Sequence, residues 1–388
     1  MPKTRQAANT ISDGQLLNFL VNRLTDAFSV ELAPNAELGP EDLFEVLVGA
    51  CADGTSVSSL CERSNESPHS NTVTYHLREQ FDLETVEVVA NTLLQKDVLE
   101  TLPEQVEVVV DLHLRPYYGD EDETAGLYSS QAKAGTTSFH AYATLYGRVR
   151  NKRYTLAVRR LTDGDTASDV LTEFFAVLEN LDVAVEAVYL DREFYDSKCL
   201  TLLQVHNYAY VLPIVKWGTS IKQELSEGWS RQIDHSLRGE FDGHEWTVEF
   251  PVFIDCTYQQ GRYDEHGVAR HGYAADVPFI GTARQARYHY SKRFGIESSY
   301  RLSEQTTAST TTQNPATRLL FVLISLLIQN VWRYLHWEFV ATPRRGGRRL
   351  WRWPFEEFIR MVARAAWTAL AGRRAVPANR PPDDRFRR

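Results

Sequence analysis

RYHYSKRFGIESSYRLSEQ, from Arg287 to Gln305, is the stretch around which the chain is organised. At the helical period of about 100° per residue, four polar residues fall within about 40° of Glu297: Tyr290, Arg293, Arg301 and Glu304. A polar face of this kind is explained by ion pairs on a solvated helix, worth a few tenths of a kcal/mol each, or by a functional site. Two features upstream favour the functional site.

Two strongly apolar, β-prone runs upstream each end in an aspartate. VEVVV is followed by Asp111, and VAVEAVYL is followed by Asp191. Apolar runs of this length, bounded by polar residues, are typical of buried strands. A carboxylate at the end of a buried strand costs solvation free energy unless it is paired or binds a metal. We therefore expect Asp111, Asp191 and Glu297 to form a cluster of hard oxygen ligands suited to Mg²⁺ or Mn²⁺.

Two other aspartates compete with Asp191 for a place in this cluster. Asp255 also ends an apolar strand, and Asp276 is a weaker rival. We prefer Asp191 because it precedes a helix-rich α/β segment, whereas Asp255 lies within a stretch that breaks the α/β rhythm.

These residues carry a resemblance to a known family. Asp111, Asp191 and Glu297 resemble the Asp-Asp-Glu (DDE) triad of the RNase H-like transposases. The spacing Tyr290, two residues, Arg293, three residues, Glu297 is similar to the signature of the insertion-sequence-four superfamily. That signature continues with six residues and a lysine, where this chain has Glu304, with Arg301 one turn earlier. Three longer stretches resemble haloarchaeal insertion-sequence transposases of the ISH-three type: VLVGACADG (46–54), DLHLRPYYGDED (111–122) and HYSKRFGIESSYR (289–301).

The resemblance, which covers essentially the whole chain, implies a DNA transposase. Such an enzyme cleaves at the terminal inverted repeats of an insertion sequence and joins the 3′ ends to target DNA in a synaptic homodimer. Asp111 would bridge two Mg²⁺ or Mn²⁺ ions, while Asp191 and Glu297 would each hold one. Arg293, and Arg301 with it, would bind phosphate as bidentate donors.

In the same reading Tyr290 would position the scissile strand and would not act as a nucleophile. Two alternatives remain open: an RNase H-like DNA nuclease or resolvase that only hydrolyses, and a non-catalytic DNA-binding protein derived from a transposase. A metal-dependent phosphatase for small molecules would leave the basic C-terminal tail without an explanation.

The fold class that we expect is α/β. It consists of an RNase H-like core, a mixed sheet flanked by helices, with a β-rich insertion and an N-terminal helical DNA-binding domain. The boundaries are 1–104 for the helical domain, 105–340 for the core with its insertion at 216–286, and 341–388 for a basic C-terminal helix and tail. We expect the apolar helix from Thr317 to His336 to pack the catalytic helix onto the sheet.

Within the N-terminal domain, a short helix from Thr55, a polar turn and a second helix that begins at an Asn71 cap resemble a helix-turn-helix. The second helix presents residues of types that reach base edges or phosphates: Thr72, Thr74, Tyr75, His76 and Arg78. A plain helical hairpin is the alternative.

Tryptophans of the insertion are candidates for stacking on a base, because related transposases use one to hold an extruded base near a DNA hairpin. The candidates are Trp217, Trp229 and Trp246. Core packing is the favoured interpretation for each of them.

Charge is unevenly distributed along the chain. The net charge is −9, yet the segment from Ala341 to Arg388 holds 13 arginines, no lysine and 4 acids. We expect its arginines to contact DNA: Arg344, Arg345, Arg348, Arg349 and Arg352. An acidic, lysine-poor chain suits a cytoplasm at high salt, where basic groups must be concentrated where DNA lies.

The compartment is expected to be cytoplasmic and nucleoid-associated, without a membrane. The start of the chain has no apolar stretch of the signal-peptide kind. The longest apolar run, Leu319–Ile328, is about half the length needed to span a bilayer. The four cysteines show no CxxC spacing, so buried thiols are expected.

Overall fold

The computed structural model contains two compact units, which are Asp97–Tyr300 and Met1–Lys96 together with Arg301–Arg388. The residues that it describes are 10–32, 38–62, 67–121, 124, 126–149, 152–226, 228–258, 267–291, 293, 302, 304–344, 347–349 and 353–371.

The helices are named in chain order. They are α1 (Asp13–Ala27), α2 (Pro40–Ala52), α3 (Val57–Glu62), α4 (Ser70–Glu79), α5 (Leu83–Lys96), α6 (Ala167–Asn180), α7 (Ser197–Val205), α8 (Thr219–Glu224), α9 (Ala283–Ser291), α10 (Pro315–Leu335) and α11 (Phe355–Ala371). Short 3₁₀ segments lie at Leu99–Thr101 and Arg192–Phe194, and a π-helical segment, His336–Val340, continues α10.

The unit Asp97–Tyr300 is built on one sheet. Its described strands are β1 (Gln105–Pro116), β2 (Tyr128–Lys133), β3 (Thr136–Val149), β4 (Lys152–Leu161), β5 (Ala184–Tyr189), β6 (Tyr210–Pro213), β7 (Arg231–Phe241), β8 (His244–Tyr258) and β9 (Val268–Asp276). The order is β2-β3-β1-β5-β6-β9-β8-β7, with β4 also paired to β3. The strands β1, β5 and β6 are mutually parallel, and every other pairing is antiparallel.

This arrangement confirms the predicted RNase H-like core. Strand β1, the hairpin β3–β4, helix α6 and strand β5 occur along the chain in the order of an RNase H-like core. The predicted insertion is β-rich, and its strands β9, β8 and β7 extend the same sheet beyond β6. The insertion therefore widens the sheet that carries the predicted aspartates.

The two faces of the sheet are covered by different helices. Val106, Val108 and Val110 point to the face covered by α6 and α7, where they meet Phe174 and Leu200. The alternate face carries Val109, Tyr189 and Val211 and is covered by α9 through Ala286 and Tyr290. Because side chains alternate along a strand, Asp111 shares the face of Val109, which is the face of α9.

The helical unit is organised around α10, which is almost completely buried. Helix α10 packs against α5 and α2, and α11 packs against α1 and α2. The two units therefore differ from the predicted domains. The last part of the predicted core, 301–340, and the C-terminal segment, 341–388, both belong to the unit that contains the N-terminal helices. The apolar composition of α10 shows that it is buried but does not reveal which surface buries it.

Helix α10 and its π-helical continuation also pass a test for membrane-spanning helices based on length and composition. In its most apolar window, 83% of the residues are buried inside the protein. A core helix of a soluble domain passes the same test, and the burial agrees with the core helix that the sequence predicts.

The predicted helix-turn-helix corresponds to α3 and α4. Helix α4 begins at Ser70, and its N-cap is His69, whose ring nitrogen Nδ1 accepts a hydrogen bond from Asn71 N at 3.2 Å. The prediction of an Asn71 cap is therefore wrong, since the imidazole of His69, two residues earlier, supplies the acceptor.

Replacing Gly49 by alanine tests the packing of α2 against α11. A Cβ atom at position 49 would lie 2.8 Å from the Cβ of Ala366, closer than packed carbon atoms approach. We expect Gly49→Ala to lower the free energy of unfolding by about 1–3 kcal/mol through overpacking. Ala366→Gly should recover part of this loss in the double variant, as measured by urea denaturation.

Gly14→Ala on α1 is the matched control, because no atom lies within 4 Å of a Cβ built there. It should leave the stability unchanged or slightly raised, since alanine favours the helix. A loss in Gly49→Ala that does not depend on residue 366 would contradict the placement of α11.

Candidate active site

Asp111 and Asp191 lie side by side because β1 and β5 are parallel neighbours. Val109 is paired with Tyr189. Asp111 lies two residues after Val109, and Asp191 lies two residues after Tyr189. Asp111 does not end its strand as predicted, since β1 continues to Pro116 against β3 alone. The pairing of β1 with β5 stops at Val109 and Tyr189, just before the two aspartates.

The two carboxylates differ in exposure. Asp111 is buried, and its Oδ1 accepts a hydrogen bond from Leu112 N at 3.1 Å. Asp191 is the N-cap of the short 3₁₀ helix that follows β5, and its Oδ1 accepts from Arg192 N at 2.6 Å. The side chain of Asp191 retains 36% of its exposure, so this carboxylate faces the solvent side of the site.

Arg293 joins the two carboxylates. Its Nη2 lies 2.5 Å from Asp111 Oδ1 and 3.0 Å from Asp191 Oδ2. Although burial acts to lower the pKa of the guanidinium, the neighbouring Asp111, Tyr290 and Asp191 raise the pKa overall. The group is therefore a fixed positive charge between two negative ones.

Tyr290 supports Arg293 from α9. Its hydroxyl oxygen accepts a hydrogen bond from Arg293 Nη1 at 3.2 Å, and its ring packs against Tyr273 with centroids 5.3 Å apart. Burial raises the pKa of Tyr290 to about 12. The phenol is protonated near neutral pH, which agrees with a positioning role.

The donor set suits a divalent cation. One nitrogen contacts both Asp111 and Asp191, so the two carboxylates converge on a single point, and carboxylate oxygens are ligands that Mg²⁺ and Mn²⁺ prefer. Within the described ranges there is no group of three or more His, Cys, Asp or Glu side chains that could hold a metal. Glu297, the predicted third ligand, and Arg301 lie outside the described residues.

The sheet topology separates Asp191 from its rivals. Asp255 lies on β8, which β6 and β9 separate from β5, and Arg287 Nη1 contacts its Oδ2 at 3.0 Å. Asp276 is paired with Tyr210 at the beginning of β6, the opposite edge of the sheet. Only Asp191 is therefore placed against Asp111.

The carboxyl ends of β5, β6 and β8 lie at the same end of the sheet, which we call the carboxyl edge. A row of basic groups lies along it. Arg192 follows β5, Lys216 follows β6, and Ile214 N donates to Gly272 O, next to His271. His271 on β9 lies opposite Asp255 on β8 in the strand pairing. The carboxylate of Asp255 in turn contacts the side chain of Arg287 from α9. Ligands of open α/β sheets bind at this kind of edge.

No sequence pattern marks these basic groups, because strand order, and not spacing, brings them together. The pKa of His271 is lowered, first by partial loss of hydration and then by the positive charges of Arg287 and Lys216. Glu193 was also missed. Its pKa is raised by loss of hydration and then by Asp191 and Asp111, which places a third acid in their field. Its position two residues after Asp191 was the available signal.

The three tryptophan candidates have different environments. Trp217 follows β6 and is 79% exposed, and Trp229 precedes β7 and is 84% exposed. Because Arg231 is paired with Ile254, beside Asp255, Trp229 also lies at the carboxyl edge. Core packing, which we favoured for all three, is wrong for Trp217 and Trp229. Trp246 is half-buried, and its Nε1 donates to Thr201 Oγ1 at 3.2 Å.

The residues predicted to bind DNA lie in the helical unit. On α4, Thr72 and Arg78 are exposed, and Thr74 is half-buried with its hydroxyl donating to Ser70 O at 2.9 Å. Three of the C-terminal arginines lie in a hairpin formed by β10 (Thr342–Arg344) and β11 (Gly347–Arg349). These are Arg344, Arg348 and Arg349. Arg345 and Arg352 lie outside the described residues.

Comparison with solved structures supports the fold. The chain is similar to the protein in the cryo-EM structure of a piggyBac transposase synaptic complex with hairpin DNA, with a TM-score of 0.55 and 12% sequence identity. The match covers 99% of this chain and 85% of that chain. No protein-family model and no curated protein matches the chain. At this identity the likeness establishes the fold alone, and it confirms the predicted fold class.

Breaking the Arg293 pair should cost more stability than breaking the exposed Arg364–Asp13 pair. Arg293→Gln leaves the buried Asp111 carboxylate without its counter-charge, so we expect a loss of about 3–5 kcal/mol in the free energy of unfolding. Arg364→Gln is the control, because the Arg364 side chain is 66% exposed and Asp13 is 28% exposed, against 12% for Arg293 and 9% for Asp111. Urea denaturation at neutral pH compares the two.

The double variant Asp111→Asn/Arg293→Gln should recover part of this loss, since it removes both charges. Equal losses for the two arginine variants would show that Arg293 does not compensate a buried carboxylate.

Proposed function

We propose that the protein is a metal-dependent DNA transposase, which cleaves at the ends of an insertion sequence and joins the 3′ ends to target DNA. One observation carries the proposal: Asp111 and Asp191 converge at the carboxyl edge of a sheet whose fold is shared with a transposase. The motif resemblance around Glu297 adds the insertion-sequence-four superfamily and the haloarchaeal type to the proposal.

Asp111, Asp191 and Glu297 would hold the divalent ions. When bound, Mg²⁺ or Mn²⁺ would activate a water or a 3′-hydroxyl and offset the charge on the leaving oxygen. A cation shared by Asp111 and Asp191 would occupy the place of Arg293 Nη2. Arg293 would therefore release the carboxylates when the ions bind.

The released guanidinium would be available to a phosphate of the scissile strand. Arginine suits this role because it is permanently charged and binds phosphate through two parallel hydrogen bonds. Tyr290 would hold Arg293 within reach of the site, since its hydroxyl already accepts from Nη1. The pair of Tyr290 and Arg293 would therefore neutralise the carboxylates before DNA binds and contact the phosphate after DNA binds.

The carboxyl edge would hold the DNA strand beside the carboxylates. Arg192 and Lys216 are exposed and positively charged, as required for contacts to the backbone. The exposed Trp217 and Trp229 would stack on unpaired bases. The helical unit would contribute Thr72, Thr74 and Arg78 of α4, with the C-terminal arginines.

A synaptic homodimer acting in the cytoplasm, at the nucleoid, completes the proposal. A nuclease or resolvase would use the same carboxylates but would release hydrolysed ends, so the joining of labelled DNA ends to a target duplex distinguishes the two functions.

Cleavage of a labelled duplex carrying the flanking inverted repeat tests the proposal, in molar KCl with Mn²⁺. We expect nicking at the repeat boundary by the wild type and loss of nicking in Asp191→Asn and Glu297→Gln, because each removes a metal ligand. DNA binding by Glu297→Gln should remain nearly intact. Asp255→Asn, which lies outside the carboxylate pair, should retain cleavage.

Binding of the repeat without cleavage by any of these proteins would instead support a non-catalytic DNA-binding protein. Loss of cleavage in Asp255→Asn with retention in Asp191→Asn would contradict the assignment of the pair.

A further inference from the structure

A groove lined largely by hydroxyl groups runs along the helix-turn-helix in the helical unit. Its volume is about 550 Å³, within the usual range for ligand sites. We call it the hydroxyl groove. Its polar lining consists of serine and threonine side chains, among them Ser58, Thr74 and Thr311, together with Arg78, and a few apolar side chains complete the surface.

The wall formed by residues 309–312 is fixed to the helix-turn-helix. Ser309 N donates to Thr55 O at 3.0 Å, and Ser309 Oγ donates to Gly54 O at 3.2 Å, just before α3. At the other end, Thr317 Oγ1 donates to Leu77 O of α4 at 3.4 Å. The threonine-rich segment 309–312 is therefore one side of a formed groove.

The lining favours an anionic ligand. Arg78 is its one charged side chain, and no Asp or Glu contributes to it, although the chain as a whole carries a net charge of −9. Arg78, Ser58 and Thr311 are exposed, and no hydrogen bond or ion pair of their side chains involves another described residue. These groups are available as donors on α4, α3 and the threonine-rich segment respectively.

We propose that the hydroxyl groove binds successive phosphates of one DNA strand. This inference rests on the proposed function of the protein. It adds the segment 309–312, the second wall of the groove, to the DNA-contacting surface of the helix-turn-helix. Hydroxyl groups commonly contact DNA phosphates and fix the register of a protein on the duplex. Because they are neutral, their contacts release no counterions, so their contribution does not decline with salt as that of lysine and arginine does.

The test compares binding of the full chain to the inverted-repeat duplex across a series of KCl concentrations. Ser58→Ala/Thr311→Val removes one hydroxyl from each wall, and we expect the dissociation constant to rise about tenfold at every salt concentration, with an unchanged slope against log salt. Arg78→Gln should weaken binding and reduce the slope by about 1.

Thr92→Val is the matched control, because Thr92 is an exposed threonine on α5 outside the groove. It should bind as the wild type does. Methylphosphonate substitution, which removes the charge of a single DNA phosphate, then locates the contact. At one or two phosphates this substitution should weaken DNA binding by the wild type and should not weaken binding by Ser58→Ala/Thr311→Val any further.

Three results would overturn the proposal, and they have different meanings. Binding that is unchanged in the double hydroxyl variant, with a loss in Arg78→Gln, would restrict the contact to α4. Stabilisation of the wild type, but not of the variant, by inorganic phosphate alone, without a difference in DNA binding, would identify a free phosphate site. A wild type that binds no duplex would remove the proposed function as well.

Discussion

The site depends on the neutralisation of two adjacent carboxylates by one buried guanidinium. Parallel pairing of β1 with β5 places Asp111, which is buried within β1, beside Asp191, which follows β5. Two such charges would repel each other, and the buried one would lose solvation. Arg293 Nη2 contacts both. The carboxylates can be released only to another cation, so the same interaction that stabilises this edge of the sheet also preserves it as a cation site.

This constraint links the fold to the proposed chemistry. The strands that follow β6 widen the sheet and bring Lys216 and Arg287 to the edge that carries Asp191. Lys216 and Arg287 therefore flank the carboxylates, whereas Arg293 lies between the two carboxylates. An edge of this composition can hold a polyanion while its acids bind cations, which is the combination that phosphoryl transfer on DNA requires.

Much of the unit Asp97–Tyr300 could be predicted because its signals are local. Apolar runs of strand length gave β1 and β5, and the aspartates that follow these runs, Asp111 and Asp191, are brought together by the sheet, although Asp111 lies within β1 and not at its end. The preference for Asp191 over Asp255 is supported by the strand order. Other features depend on tertiary contacts that no local pattern encodes. These include the packing of α10, the exposure of Trp217 and Trp229, and the hydroxyl groove.

Mn²⁺ binding in the absence of DNA tests the central claim most directly, with free Mn²⁺ measured by electron paramagnetic resonance. Arg293→Gln removes the competing charge from between the carboxylates, so the account predicts a Mn²⁺ dissociation constant at least about tenfold lower than that of the wild type, about 1.4 kcal/mol. Asp191→Asn should lose this binding, and Asp255→Asn should keep it. Mn²⁺ affinity that is unchanged in both Arg293→Gln and Asp191→Asn would contradict the account.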